Sequence, residues 1–76
     1  MSEPVILDAT GLKCPLPVLK ARRAMKELAP GDVLEVLASD PGSLKDFAAF
    51  CATTGDELLA SRQEGELYRF HIRKRG

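Results

Sequence analysis

Cys14, Cys51 and the single histidine, His71, are the side chains of this 76-residue sequence best suited to nucleophile, redox or proton chemistry. Cys14 lies in the run Lys13-Cys14-Pro15-Leu16-Pro17. Proline disfavours helical geometry in the residue before it, so Cys14 is expected at an extended helix N-cap. Pro15 then takes the first helical position, where a missing N–H is harmless, and Pro17 lies in the same unpaired first turn. The Leu16 N–H is the one donor between the two prolines, and the Cys14 thiol is the side chain placed to meet it. A helix N-terminus carries roughly half a positive charge, which favours thiolate over thiol. Lys13 and Lys20 are expected to add to that field. Leu16 precedes a proline within the helix, a local strain without a packing purpose. The alternative for Cys14 is a small apolar residue filling a gap at a plain helix start.

The other candidates read differently. Cys51 falls among apolar residues and reads as core. His71 sits on the polar side of an alternating segment and reads as a surface residue, not a base for Cys14. Cys-x-x-Cys is absent, because the third residue after Cys14 is Pro17, so a thioredoxin-type dithiol is excluded. Two cysteines and one histidine, none at ligand spacing, do not make a zinc site. There is no glycine-rich phosphate loop, and no cofactor is expected.

These residues need a scaffold, and the periodicities outline one. Val5-Ile6-Leu7 reads as strand 1, followed by a loop from Asp8 to Lys13 that contains Gly11. A helix is expected from about Pro15 to Leu28, with Val18, Ala21, Met25 and Leu28 as its buried stripe. Pro30-Gly31-Asp32 is a turn, and Val33 to Ala38 is an interior strand broken only by Glu35. After the Asp40-Pro41-Gly42 turn, Ser43 and Asp46 have capping-box spacing. The second helix then places Leu44, Phe47, Ala48 and Cys51 on one face and stops at Gly55. Glu57 to Arg62 reads as strand 3. Leu67 to Arg73 alternates Tyr68, Phe70 and Ile72 against Arg69, His71 and Arg73, a half-buried strand 4. The order is β-α-β-α-β-β. With right-handed crossovers and a sheet growing in one direction, both helices land on one face, giving a two-layer α/β sandwich. Cys14 then sits at the carboxyl end of strand 1, where open α/β sheets place their sites.

The bulk numbers narrow the function. Seventy-six residues make one domain, 1–76, with a thin core and no deep pocket, so chemistry belongs at the surface. Eleven Lys and Arg balance eleven Asp and Glu, which argues against electrostatic binding of nucleic acid or an anionic membrane. Basic residues nonetheless cluster: Lys13, Lys20, Arg22, Arg23 and Lys26 in one group, Arg69, Arg73, Lys74 and Arg75 in another. No segment is long enough to be a transmembrane helix, and the acidic start Met1-Ser2-Glu3-Pro4 does not look like a signal peptide. The expected setting is the cytosol, where thiols stay reduced.

Leu7-Asp8-Ala9-Thr10-Gly11-Leu12-Lys13-Cys14-Pro15-Leu16-Pro17 resembles the signature of the TusA/SirA-like sulfurtransferase family: Leu-Asp, two residues, Gly, two residues, then Cys-Pro-x-Pro. The resemblance runs from Leu7 to Lys74. It includes the Pro30-Gly31 and Asp40-Pro41 turns, the Phe50-Cys51 pair and the ending Tyr68-Arg69-Phe70-His71-Ile72-Arg73-Lys74. Ser39 departs from it, where many members have Asp. The resemblance implies a two-layer α/β sandwich with a mixed four-stranded sheet. It implies that Cys14 accepts persulfide sulfur from a cysteine desulfurase or other persulfide donor and relays it to an acceptor protein, in one branch toward 2-thiolation of the tRNA wobble uridine. Other branches serve molybdenum-cofactor sulfur supply or sulfur oxidation. Asp8 and Gly11 are then expected to shape the loop, with Pro15, Leu16 and Pro17 supporting it. Lys13, Lys20, Arg23, Lys26, Arg69 and Arg73 are candidates for docking the partner. An RNA-binding module and a redox-regulatory module are the rival classes, both without a membrane partner.

Overall fold

The computed structural model describes residues 3–76, so Met1 and Ser2 of the N-terminal reading lie outside the described residues. Six elements follow in the order β1 (Val5–Ala9), α1 (Leu16–Lys26), β2 (Val33–Ala38), α2 (Ser43–Thr54), β3 (Glu57–Glu64) and β4 (Leu67–Arg73). They form a two-layer α/β sandwich, with both helices on one face of a mixed four-stranded sheet. The sheet order is β1-β2-β4-β3. β1 pairs parallel with β2, and β4 runs antiparallel to both β2 and β3.

The sheet therefore does not grow in one direction, as the sequence reading assumed. The crossover through α2 passes over one strand position before β3 begins. The tight turn at Gly65, where φ is +64° and a side chain is disfavoured, folds β4 back into the gap. Both crossovers still bring their helices to the same face.

Alternation along the strands sets the core. Leu34, Val36 and Ala38 of β2 and Phe70 and Ile72 of β4 are wholly or almost wholly buried under the helices, with Tyr68 nearly so. Burying a side chain of this size contributes about 1.5–3 kcal/mol. The rings of Phe47 and Phe70 stack with centroids 4.5 Å apart, and Phe50 meets Phe47 edge-on. On α1, Pro17, Ala21 and Met25 are buried, while Val18, Ala24 and Leu28 pack partly against the core. The α1 stripe thus follows the expected spacing, although the helix ends at Lys26. Its last turn is closed by Lys74, whose ammonium donates to the carbonyls of Met25 and Leu28 at 2.9 and 2.6 Å.

Helix α2 departs more from expectation. Its buried residues are Ser43, Phe47, Phe50 and Cys51, whereas Leu44 and Ala48 face outward. Nearly every position of this segment is apolar or small, so periodicity alone does not separate its two sides. The capping box is also absent. Gly42 is the N-cap, no side chain caps the helix, and the Ser43 hydroxyl is buried without a hydrogen bond. Gly55 closes the helix with φ of +84°, as expected.

Candidate functional site

Cys14 sits in the link between the carboxyl end of β1 and the start of α1, and that link is tightly held. Asp8 accepts hydrogen bonds from the Thr10 N–H at 3.0 Å and the Thr10 hydroxyl at 2.6 Å. These bonds, with the charge of Lys20 as a smaller influence, hold the Asp8 carboxyl below the usual carboxylate range. Gly11 has φ of +82°, a value that favours glycine, and its N–H donates to the Ser39 hydroxyl at 2.8 Å. Ser39 thus ties the loop to the end of β2. Asp8 and Gly11 both make hydrogen bonds within this link or from it to Ser39.

The helix start differs from the sequence reading by one residue. Pro15 is the N-cap, Leu16 and Pro17 begin the helix, and no side chain caps it. The Cys14–Pro15 peptide is cis. The Leu16 N–H donates to the Lys13 carbonyl at 2.8 Å, so the thiol does not take that donor.

The Cys14 thiol donates instead to Asp46 Oδ2, in the first turn of α2. Asp40 stands beside it. A Cβ placed on Gly42 would lie 2.8 Å from Asp40 Oδ2, 3.2 Å from Cys14 Cβ and 3.5 Å from Cys14 Sγ. The sulfur is therefore packed against a bare glycine, with the Asp46 carboxylate bonded to it and the Asp40 carboxylate near enough to act on it. The Asp46 hydrogen bond raises the thiol above its ordinary pKa; partial desolvation and the charges of Asp46 and Asp40 push the same way. This reverses the expected thiolate. The field of a helix end amounts to about half a charge, and it is opposed here by a directly bonded full negative charge and a second one nearby. The Lys20 charge acts on Asp8.

Cys14 is exposed and Cys51 is buried. Burial, followed by the charge of Asp56, pushes the Cys51 thiol up to about 11. His71 lies on the open sheet face, 3.0 Å from Glu35. Among the described residues, no cluster of His, Cys, Asp and Glu has metal-holding geometry.

The docking candidates divide. Lys13, Lys20, Arg23 and Lys26 are all exposed. Lys20 and Arg23 rim a shallow apolar groove made by Leu12, Leu16 and Leu19, beside the Cys14 link. Lys26 lies on the other flank of α1, with Arg22 and Met25. Arg69 and Arg73 are on the open face of the sheet and engaged there: Arg69 pairs with Glu35 and Glu64, Arg73 with Glu57. Asp46, Asp40, Gly42 and Ser39 were not recognised as site residues from sequence. The available signal was topological: β1 and β2 are parallel neighbours, so the residues after β2 must lie beside those after β1.

The fold is a two-layer sandwich that carries one exposed thiol between two helix starts. Residues 5–74 match the family described as Sulfurtransferase TusA. The chain is 52% identical, over 90% of each chain, to the sulfur carrier protein TusA of Allochromatium vinosum. It is 44% identical to the protein of that name from Pseudomonas paraeruginosa, over 99% of this chain and 98% of that one. The crystal structure of a SirA-like protein from Desulfitobacterium hafniense superposes with a TM-score of 0.82, over 95% of this chain and 99% of that one, at 24% identity. This chain belongs to the TusA sulfurtransferase family.

Proposed function

We propose that this protein is a cytoplasmic, single-domain sulfur carrier and sulfurtransferase in which Cys14 receives persulfide sulfur from a cysteine desulfurase-type donor and relays it to an acceptor protein. The observation that carries this reading is that Cys14 is the exposed thiol and Cys51, the other cysteine of the chain, is buried. Membership of the family and the sulfur-carrier names of its relatives support it.

The chemistry is an exchange of the thiol–disulfide kind. The Cys14 sulfur loses its proton and bonds to the outer sulfur of the donor's persulfide. The donor's S–S bond breaks, and its inner sulfur leaves and takes the proton. Donor persulfide anion and Cys14 thiol thus become donor thiol and Cys14 persulfide anion. In the second half, an acceptor cysteine attacks the outer sulfur carried by Cys14, and the Cys14 thiol is regenerated. No cofactor enters the balance. Exposed Lys13 next to Cys14, and Lys20 and Arg23 at the rim of the apolar groove, form the docking side nearest the sulfur, with exposed Lys26 on the other flank of α1. Arg69 and Arg73 are less available because their charges are already paired.

The destination we favour is 2-thiolation of the tRNA wobble uridine, reached through the acceptor protein and not by direct RNA contact. Cells lacking the gene are expected to lose most 2-thiouridine from the wobble position, as measured by mass spectrometry of digested tRNA. They should regain it with the native gene and not with Cys14→Ala. Unchanged 2-thiouridine would remove this destination while leaving the carrier chemistry to be tested on its own.

A further inference from the structure

The two ends of the Cys14–Asp46 contact belong to segments 32 residues apart, and only one of them can give a proton. An ionised carboxylate accepts and never donates, so the hydrogen bond exists only while Sγ carries hydrogen. Loading replaces that hydrogen with sulfur. The persulfide is more acidic than the thiol, so its outer sulfur carries negative charge at neutral pH. The same carboxylate that held the thiol then faces a like charge, with Asp40 adding a second. Gly42 leaves room for the sulfur to pack against α2 in the first state.

We propose that Asp46 is a positioning residue that latches the unloaded Cys14 thiol against α2 and releases the loaded persulfide toward solvent and the acceptor. The inference rests on the sulfur-carrier reading and adds to it a difference between the empty and charged carrier. An acceptor then meets an outward-directed sulfur only when there is sulfur to take. The charged groups around the latch are Asp46 and Asp40 from the α2 side, Lys13 next to Cys14 in the chain, Lys45 next to Asp46 on α2, and Arg22, which lines the α1–α2 groove together with Asp46. Of these, the carboxylates are the groups that shift the thiol.

The test compares the native protein with Asp46→Asn, Asp46→Ser and Asp46→Glu, each checked for native circular dichroism and cooperative melting. Iodoacetamide alkylation of unloaded Cys14 is followed against pH in a Cys51→Ala background. The expected midpoint falls in the Asn and Ser variants and moves back up in the Glu variant. Each pH unit of that fall raises the thiolate fraction at neutral pH about tenfold. The proteins are then loaded with inorganic polysulfide, and alkylation of the outer sulfur by iodoacetamide is followed at neutral pH, with intact mass separating alkylated persulfide from alkylated thiol. The reagent is uncharged and Cys14 is not displaced from the outer sulfur, so the rate reports how freely the persulfide anion is presented. This alkylation is expected to be slower in the Asn and Ser variants than in the native protein. The two effects thus have opposite signs: a faster thiol and a slower persulfide.

A packing role alone would move both rates in the same direction. An unchanged alkylation profile, or two rates that rise or fall together, overturns the latch. Neither readout uses a protein donor. If Cys14 takes no sulfur from a desulfurase, the carrier reading fails on that ground, and the latch is still decided by these two rates.

Discussion

Replacing Gly42 with alanine separates the role of the glycine in the site from its role in the fold. Gly42 has φ of −61° and ψ of −18°, ordinary helical values, so the backbone accepts alanine without strain. The obstacle is the space that the new methyl must occupy. It would stand 2.8 Å from Asp40 Oδ2, inside contact distance, so the carboxylate must turn away from the Gly42 N–H that it accepts at 3.1 Å. A hydrogen bond to a charged acceptor contributes about 1.5–3 kcal/mol, toward the low end at a part-buried site such as this one. Alanine returns about 0.4–1 kcal/mol by restricting the unfolded chain. The net loss is about 1 kcal/mol, or a fall in Tm of about 4–8 °C for a domain of this size. The second contact is stiffer. Cys14 Cβ lies 3.2 Å from the new methyl and is fixed to the backbone, so the whole Cys14 link must move outward by a few tenths of an ångström. That movement pulls Sγ away from Asp46. The expected outcome is a folded protein whose Cys14 alkylates faster at neutral pH than the native thiol. Urea unfolding and an iodoacetamide time course measure the two effects. Native stability together with a native alkylation rate would refute the packing described here.

Three further outcomes follow from the same geometry. Cys51→Ser buries a hydroxyl among apolar neighbours and is expected to cost about 1–3 kcal/mol in denaturant unfolding while leaving sulfur loading intact; an unchanged midpoint would show that this side of α2 is not sealed. Glu35 is held below the usual glutamate range by its hydrogen bond to His71 and by Arg69. Its stabilisation is therefore fully present above the ordinary value of about 4.3 and is lost as pH falls through the lower folded value. Glu35→Gln should flatten this acid limb of the stability curve, and parallel native and variant curves below that pH would contradict the pairing. Lys20→Glu with Arg23→Glu should fold with no more than about 0.5 kcal/mol change, yet slow sulfur transfer, most at low ionic strength where screening is weakest. Equal transfer rates at every salt concentration would move the docking surface elsewhere.

The parts of this molecule that were legible in the sequence are those where period and burial coincide. Tyr68, Phe70 and Ile72 alternate cleanly with charged residues because β4 has one wet face and one dry face. The α1 stripe was legible for the same reason at helical period. In α2 the expected Phe47 and Cys51 are buried, but the outward-facing Leu44 and Ala48 are as apolar as their neighbours, so these two were misplaced. The position of β4 between β2 and β3 rests on long-range pairing that no local pattern encodes. At the site, Cys14, Asp8 and Gly11 were recognisable from one short segment. The carboxylates that set the state of the thiol were not, because Asp46 is far away in the chain and resembled a helix cap. Reasoning from the α1 dipole alone therefore gave the wrong sign for the thiol. The partner that decides it comes from the neighbouring helix.

The most direct measurement maps where sulfur is carried. The native protein, Cys14→Ala and Cys51→Ala are each incubated with a cysteine desulfurase and cysteine, and intact and peptide mass spectrometry locate the added sulfur. One sulfur atom is expected on Cys14 in the native and Cys51→Ala proteins, and none on Cys14→Ala. Sulfur retained by Cys14→Ala, or found on Cys51 of the native protein, would contradict the account.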